Sequence, residues 1–464
     1  MATNPADYLH FTKRLGLIAV SQYPIQYLLS LKSLNLFAFA LGSSHEYINR
    51  YHRVLGRILA VLVTLHVILY LNFLYRAGTL SRRLQTPLVA SGLVSFILLN
   101  LLYTTALRPF RQVSYRVFFL VHLIVAFVTP LTLSQHAPSG RIFLVEAIAV
   151  FVADLISRKL DTVTSEATLE PIPGTSLVKI TAAVPFTKIN RFRLHPGSHV
   201  YLSVPAAARK TLDSGSMPRF LFEFLFNPFT VATADPDHNT ITLVARRREG
   251  SMTKALADLA RGTRSFGSSS GSPQAVHVPL SVEGPYGVAT RFPHLSSSDF
   301  GRILLVAGGV GATFILPLYR SIVGENPNAP VEVIWSVRAA SDATWAITDS
   351  GDGSGLFDDR VNLFFTGNAA DSFSPSSAAA HGGGDVKLTA LYRDRRRGRF
   401  TAGANRRRPD LKKIVDEVFR HGLEERVAVL VCGPHGMSRE LREHVGVWVD
   451  RGRTVWWHEE GFGF

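Results

Sequence analysis

The chain has 464 residues, 47% of them apolar, enough for two or three domains; long apolar runs fill roughly the first 160 positions and the rest reads as ordinary soluble protein. The net charge of +15 invites a nucleic-acid reading, but the ten cations from Arg393 to Lys413, against Asp394 and Asp410, account for +8 of it in a stretch without apolar periodicity. Such a stretch is a solvated or disordered insertion, so no nucleic-acid partner is expected, and the single cysteine, Cys432, excludes an intramolecular disulfide or a cysteine-ligated cluster.

In chain order, Met1 to His10 is polar and lacks a secretory-signal pattern, so the spans themselves must insert the chain in a membrane. A hydrocarbon core of about 30 Å takes about 20 apolar helical residues. Five stretches are candidates: Leu15 to Leu41 (interrupted by Pro24, Lys32, Ser33 and Asn35), Val54 to Leu74, Pro87 to Leu107, Val113 to Leu133, and Ile142 to Ile156. Arg158, Lys159 and Asp161 end this half.

Four histidines stand out here, His52 and His66 near the second span and His122 and His136 near the fourth, each pair 14 residues apart. At about 100° and 1.5 Å per residue, that spacing is roughly 21 Å of rise and a return to nearly the same face. Two such helices side by side would oppose His52 to His122 and His66 to His136. Two stacked bis-imidazole sites at membrane depth suit haem iron; taken singly, any one histidine could instead close a helix end or satisfy a neighbour. With the soluble half in the cytosol, the second and fourth helices both run outward, which keeps His52 with His122 and His66 with His136. Inside loops then carry eight cations and outside loops six, a weak positive-inside bias. Arg53 and Arg57 lie within a turn or so of His52, where they could meet haem propionates or simply anchor the interface.

From Thr162 the pattern becomes short alternating strands: Ser176 to Ala183, His199 to Val204 and Thr240 to Ala245, with a turn at His195-Pro196-Gly197-Ser198. A small all-β barrel fits Thr162 to about Phe300. Arg246, Arg247 and Arg248 precede Gly250-Ser251-Met252-Thr253 at the start of a helix, a phosphate-type site or merely solvated arginines. Next, Ile303 to Ala307 is a buried strand, Gly308-Gly309-Val310-Gly311 a tight turn and Ala312 onward a helix, the form in which backbone amides approach a pyrophosphate. Phe314 stands where the full fingerprint has a third glycine. The following strand, Val331 to Val337, ends in Ser336 and Arg338 instead of an acid, which favours a 2′-phosphate and hence NADPH. A third strand, Val427 to Val431, runs into Cys432-Gly433-Pro434-His435-Gly436-Met437. The aromatic end at Trp456 to Phe464 could be packing or could cover a flavin ring.

With the histidine pairs, His52-Arg53-Val54-Leu55-Gly56-Arg57, Asn227-Pro228-Phe229-Thr230, the Gly308 to Gly311 turn, Cys432-Gly433-Pro434 and the Glu460 to Phe464 tail, nearly the whole chain resembles the ferric-chelate reductase and NADPH oxidase superfamily, fungal metalloreductases above all. The resemblance implies a multi-domain membrane protein: a helical transmembrane haem bundle (residues 14–160), a ferredoxin-reductase-like β-barrel FAD domain (162–300) and an α/β NADPH domain (301–464) with a disordered insertion around 370–405. It implies electron transfer from cytosolic NADPH through FAD and two b-type haems, held by His52, His66, His122 and His136, to ferric or cupric chelates outside the plasma membrane. Phe229 and Thr230 would hold the flavin, Arg246 and Gly250, Ser251 and Thr253 its phosphates, and Gly308, Gly309 and Gly311 the NADPH pyrophosphate. Cys432, Gly433 and Pro434 would border the nicotinamide and Phe464 would stack on the flavin. Both irons would be six-coordinate, so no acid–base pair is required, and an iron or copper permease is an expected downstream partner. Two departures stand out: Asn227 replaces the usual histidine, and five helices are found where the family core has six and fungal members often seven, so an N-terminal helix or helices are expected to be missing. The alternatives are a superoxide-forming oxidase, a catalytically inactive truncated relative, or a flavodoxin-reductase-like enzyme with a membrane anchor.

Overall fold

The computed structural model describes residues 5–205, 227–248, 251–262, 276–287, 291–346, 359–367, 407–420, 422 and 424–461. The chain forms two compact units, Met1–Asp161 and Thr162–Phe464; the insertion expected around 370–405 lies outside the described residues.

The first unit is helical. The first expected span is α1 (Pro5–Ser21) followed by α2 (Tyr23–Leu28), and it ends well before Leu41. Pro24 sits in the first turn of α2, where a missing N–H is tolerated. Beyond it the chain turns back: the buried carboxylate of Asp154 accepts from the backbone N–H groups of Ser33 and Leu34, each at 2.8 Å. Asn35 then caps the short α3 (Leu36–Ala40), accepting from the Ala38 N–H at 2.9 Å. The polar residues that seemed to interrupt a span therefore terminate it.

Ser44 caps α4 (His45–Arg76), a 32-residue helix of about 48 Å, longer than the hydrocarbon core. After α5 (Leu80–Leu84) come α6 (Pro87–Ala106), α7 (Arg108–Val113), α8 (Tyr115–His136) and α9 (Arg141–Asp161). Among the described residues three helices are long and apolar enough to cross a membrane: His45–Arg76, Pro87–Ala106 and Val117–His136. Pro130 lies inside α8; lacking an N–H, it leaves the Ala126 carbonyl without its helical donor. Tyr27 supplies the replacement, its hydroxyl donating to Ala126 O at 2.5 Å. A hydroxyl pair, Ser95 and Thr132 at 2.7 Å, joins α6 to α8.

In the second unit, β1 (Val163–Pro171), β2 (Leu177–Ala183), β3 (His199–Ser203), β4 (Asn227–Asp235), β5 (Thr240–Arg246) and β6 (Val276–Tyr286) close into an antiparallel barrel in the order β1-β2-β5-β4-β3-β6. Alternate residues such as Val200 and Leu202, Ile241 and Leu243, and Leu280 and Val282 point inward. One helix, α10 (Phe186–Leu194), adds Ile189 and Phe192 to that core, and another, α11 (Ser251–Gly262), adds Leu256 and Ala257. The other sheet is parallel, ordered β11-β10-β7-β8-β9, from β7 (Arg302–Gly308), β8 (Val331–Val337), β9 (Val361–Phe365), β10 (Val427–Cys432) and β11 (Val455–Glu460). Ile303 and Leu305 of β7 pack toward α12 (Ala312–Glu325). Leu304 and Val306 pack on the opposite face, against α13 (Leu411–Arg420) and α14 (His435–Asp450). Both faces being covered explains why these strands read as continuous apolar runs.

Tyr27→Phe should cost the helical unit roughly 0.5–1.5 kcal/mol, measured by detergent denaturation of the purified chain. On a Pro130→Ala background, which returns an N–H to the Ala126 carbonyl, the loss should shrink; equal losses on both backgrounds would rule out this repair.

Candidate cofactor sites

Helices α4 and α8 run parallel and bring the histidines together in the expected partnership. The ring centroids of His52 and His122 are 6.1 Å apart, and those of His66 and His136 are also 6.1 Å apart. With about 2 Å per metal–nitrogen bond and about 1 Å from nitrogen to ring centre, two imidazoles on opposite sides of one ion have centroids about 6 Å apart. Hydrogen bonding fits the same use. His66 Nδ1 bonds the Thr12 carbonyl at 2.7 Å, His136 Nδ1 the Leu88 carbonyl at 2.8 Å, and His52 Nδ1 the Gln26 carbonyl at 2.9 Å. A carbonyl only accepts, so each Nδ1 must carry the proton, which leaves the lone pair on Nε2. The Gln26 amide nitrogen stands 3.5 Å from His52 Nε2. His122 Nδ1 is buried with no hydrogen-bond partner among the described residues. The four imidazoles thus fit two bis-histidine haem sites.

Around His52 and His122 the charges are cationic: Arg53 feels Arg111, Arg50 and Arg57. Arg111 was legible only as a loop cation. It lies 5.8 Å over the Phe118 ring, which packs 5.3 Å from His122, and its Nε is buried without a hydrogen-bond partner among the described residues. The short α7 ahead of α8 creates this proximity, and no periodicity marks that break.

In the barrel, Phe229 belongs to the interior core, so the alternation of β4 turns Thr230 to the other face. Thr230 pairs with His199 across the ladder, and His199 pairs with Tyr286. The rings of His199, Tyr201 and Tyr286 lie within 6.1 Å of one another, and the Tyr286 hydroxyl donates to the buried Glu283 carboxylate at 2.8 Å. This aromatic face beside Thr230 is a surface for a flat ring. Sequence reasoning missed it, although the alternation in His199-Val200-Tyr201-Leu202 carried the signal. Thr253 closes the Arg248 turn, its hydroxyl accepting from the Arg248 N–H at 3.2 Å, and Arg247 pairs with Asp258 at 3.6 Å. Ser251 opens α11, while Gly250 and Phe464 lie outside the described residues.

The parallel sheet reverses its strand order between β7 and β10, and such a switch point opens a crevice at the carboxyl ends of the strands. Gly308 to Gly311 and Cys432 to Pro434 meet there. A Cβ on Gly308 would stand 3.1 Å from Met437 Cε and 3.2 Å from Gly433 Cα, and one on Gly311 would run into the Cys432 carbonyl. Gly309 has φ +56°, its carbonyl accepts from Trp335 Nε1 at 3.0 Å, and a Cβ there would stand 3.1 Å from Arg246 Nη2. So Arg246, whose Nε is buried without a hydrogen-bond partner among the described residues, reaches from the barrel to the glycine turn. At the end of β8, Ser336 Oγ is also buried without such a partner among the described residues, and Arg338 is exposed. Amides of a glycine-rich turn, with the Arg246 guanidinium and the Ser336 hydroxyl, fit a dinucleotide phosphate.

Paired imidazoles on membrane-length helices, an antiparallel barrel and a parallel sheet with a switch-point crevice are the frame of a membrane protein that carries flavin- and dinucleotide-type domains. Residues 15–133 match the model for the ferric reductase-like transmembrane component, 168–290 an FAD-binding domain, and 300–446 the ferric reductase NAD-binding domain. A probable metalloreductase of Candida dubliniensis (AIM14) is 24% identical over 72% of this chain and 56% of its own length. The ferric/cupric reductase transmembrane component 2 of Schizosaccharomyces pombe is 22% identical over 96% of this chain and 80% of its own. The ferric reductase transmembrane component 1 of the same yeast is 24% identical over 71% and 60%. The chain belongs to the ferric reductase and NADPH oxidase superfamily, on its fungal metalloreductase branch.

Burial, and the nearby Glu460 carboxylate, raise the Cys432 thiol well above its ordinary range. The thiolate is therefore scarce at neutral and mildly alkaline pH, and iodoacetamide should label Cys432 slowly at pH 8 in the folded chain and readily after denaturation. Rapid labelling of the folded chain would contradict this burial.

Proposed function

We propose that this chain moves electrons from cytosolic NADPH across the plasma membrane to ferric or cupric chelates. The observation that carries the reading is the pair of imidazole couples on α4 and α8, each with centroids 6.1 Å apart. Relatives called ferric/cupric reductases support the choice of acceptor. When bound, NADPH would supply hydride, FAD the conversion of hydride to single electrons, and two b-type haems the one-electron path.

The chain's own residues divide the work. His52 with His122 would hold the inner haem, and His66 with His136 the outer one, each ring offering Nε2. With all four imidazoles committed as ligands, the haems would supply one-electron transfer alone, and the metal chelate would meet its electron at the outer surface. Arg53, Arg57 and Arg111 offer guanidiniums to carboxylates beside the inner pair. Thr230 and the His199–Tyr201–Tyr286 face would seat the flavin, with Phe229 setting that strand's register from the core. Gly308, Gly309 and Gly311 leave room for a pyrophosphate, and Arg246 supplies a positive charge to it. Ser336 and Arg338 would read the 2′-phosphate, and Gly433 and Pro434 would edge the nicotinamide beside Cys432. A permease for iron or copper is the expected partner for the reduced ion.

Membranes carrying the chain should show a b-type reduced-minus-oxidised spectrum on adding NADPH, weakened in both His66→Ala and His122→Ala. A flat spectrum in the unmutated chain would sink the proposal. Intact cells should accumulate ferrous or cuprous ion; superoxide in its place would mark an oxidase. Arg338→Ala should raise KM for NADPH by about ten- to a hundredfold and leave NADH use little changed, the scale of one hydrogen bond to a charged group.

A further inference from the structure

Two glycines on helices that carry none of the four histidines stand against the outer pair: Gly16 on α1 and Gly92 on α6. In each case the imidazole's acceptor lies four residues earlier, Thr12 O for His66 and Leu88 O for His136. The spacing has a physical reason. A helical Cα–Cβ bond tilts toward the N-terminus, so the side chain at one position overhangs the carbonyl four residues before it. A carbonyl has two lone pairs; one serves the helix and the other stays open only if nothing overhangs it. A methyl on Gly16 would stand 3.0 Å from both Cε1 and Nδ1 of His66, and one on Gly92 would fall inside the imidazole of His136. The inner pair is built otherwise. His52 takes the Gln26 carbonyl near the end of α2, where carbonyls lose their helical donors, and His122 Nδ1 has no hydrogen-bond partner among the described residues.

We propose that Gly16 and Gly92 are positioning residues for the outer histidine pair: each keeps one helix carbonyl open to an imidazole Nδ1, and so aims that ring's Nε2 at its partner. The inference rests on the bis-histidine reading above and adds the two helices that set ring direction. A stripe of small residues that merely eases helix packing would not align with the acceptors in this way, because it has no reason to sit four residues past the carbonyls the imidazoles use.

The test titrates haemin into haem-depleted membranes of the full chain and records low-temperature electron paramagnetic resonance of the ferric sites. His136→Ala and His122→Ala assign the outer and inner signals. Gly92→Ala should weaken outer-site binding about ten- to a hundredfold, the range for outer-shell partners of ligating histidines, and spare the inner site. Gly16→Ala, where the ring need give only slightly, should keep both sites and shift the outer signal alone. On a His136→Ala background there is no ring for the methyl to meet, so adding Gly92→Ala should change nothing further. The proposal is overturned if Gly92→Ala leaves both sites unchanged, if it weakens both alike, or if it does equal damage with His136 already removed. Absence of haem binding by the unmutated chain would overturn the bis-histidine reading itself, and this inference with it.

Discussion

Inside a bilayer water is scarce at the second nitrogen of an imidazole, so a partner in protein is what orients the ring. Three of the four histidines find it in a backbone carbonyl on a helix other than their own: Thr12 on α1, Gln26 on α2 and Leu88 on α6. That requirement settles the tautomer, and with it which nitrogen faces the opposite ring. It also explains why the flanking helices press so closely on α4 and α8. The 14-residue spacing could be met by two helices alone, but two helices alone would leave the rings free to rotate. Ring direction is a property of the whole bundle.

The second unit answers a different constraint, the close approach of two backbone turns. Reversal of strand order between β7 and β10 opens the sheet at one place, and glycines stand in both loops where they approach each other. Gly311 abuts the Cys432 carbonyl, while Gly308 abuts Gly433. Trp335, fully buried, fixes the turn from beneath through its bond to Gly309 O. Arg320 ties the sheet to the barrel by donating to Thr233 Oγ1 at 3.3 Å and to the Ala346 carbonyl at 3.1 Å. Arg246 can then reach the turn from the far end of β5. Under the proposed function, recognition of a phosphate at this turn would be shared between barrel and sheet.

Features carried by apolar runs and helical spacing were legible in the sequence. Of the five expected spans, three are long and apolar enough to cross a membrane among the described residues; the facing of His52 to His122 and of His66 to His136, the strand–glycine–helix unit after Arg302 and the strand Val331–Val337 follow from the same signals. Features hidden behind turn-formers were not. The long β6 carries Pro279, Gly284 and Pro285, residues that ordinarily argue against a strand, and it escaped the sequence reading. Gly284 and Pro285 are tolerated because the β1 ladder stops at Val282 and the β3 ladder shifts its register between Glu283 and Tyr286, while Pro279 lies opposite Glu166 in the β1 ladder. Trp456-Trp457-His458-Glu459 reads as an aromatic tail, yet it is the edge strand β11 paired in parallel with β10, since only the sheet shows that β10 has a vacant flank.

The harder omission concerns partners that have no residue type. A sequence announces its imidazoles, guanidiniums and hydroxyls, but a backbone carbonyl is present at every position and marks none. What it can leave is a shadow. Where an imidazole needs a helical carbonyl, the residue four places on must not cover it, and a glycine there is the one trace in the sequence. Gly16 and Gly92 are such traces beside His66 and His136; Gln26 leaves none beside His52, because α2 has nearly ended and no following turn overhangs it. The legible part of a buried site is thus the side chain that does the chemistry together with the side chain that has to be missing, and the second can be recognised only when the helix that bears it is known to touch the first.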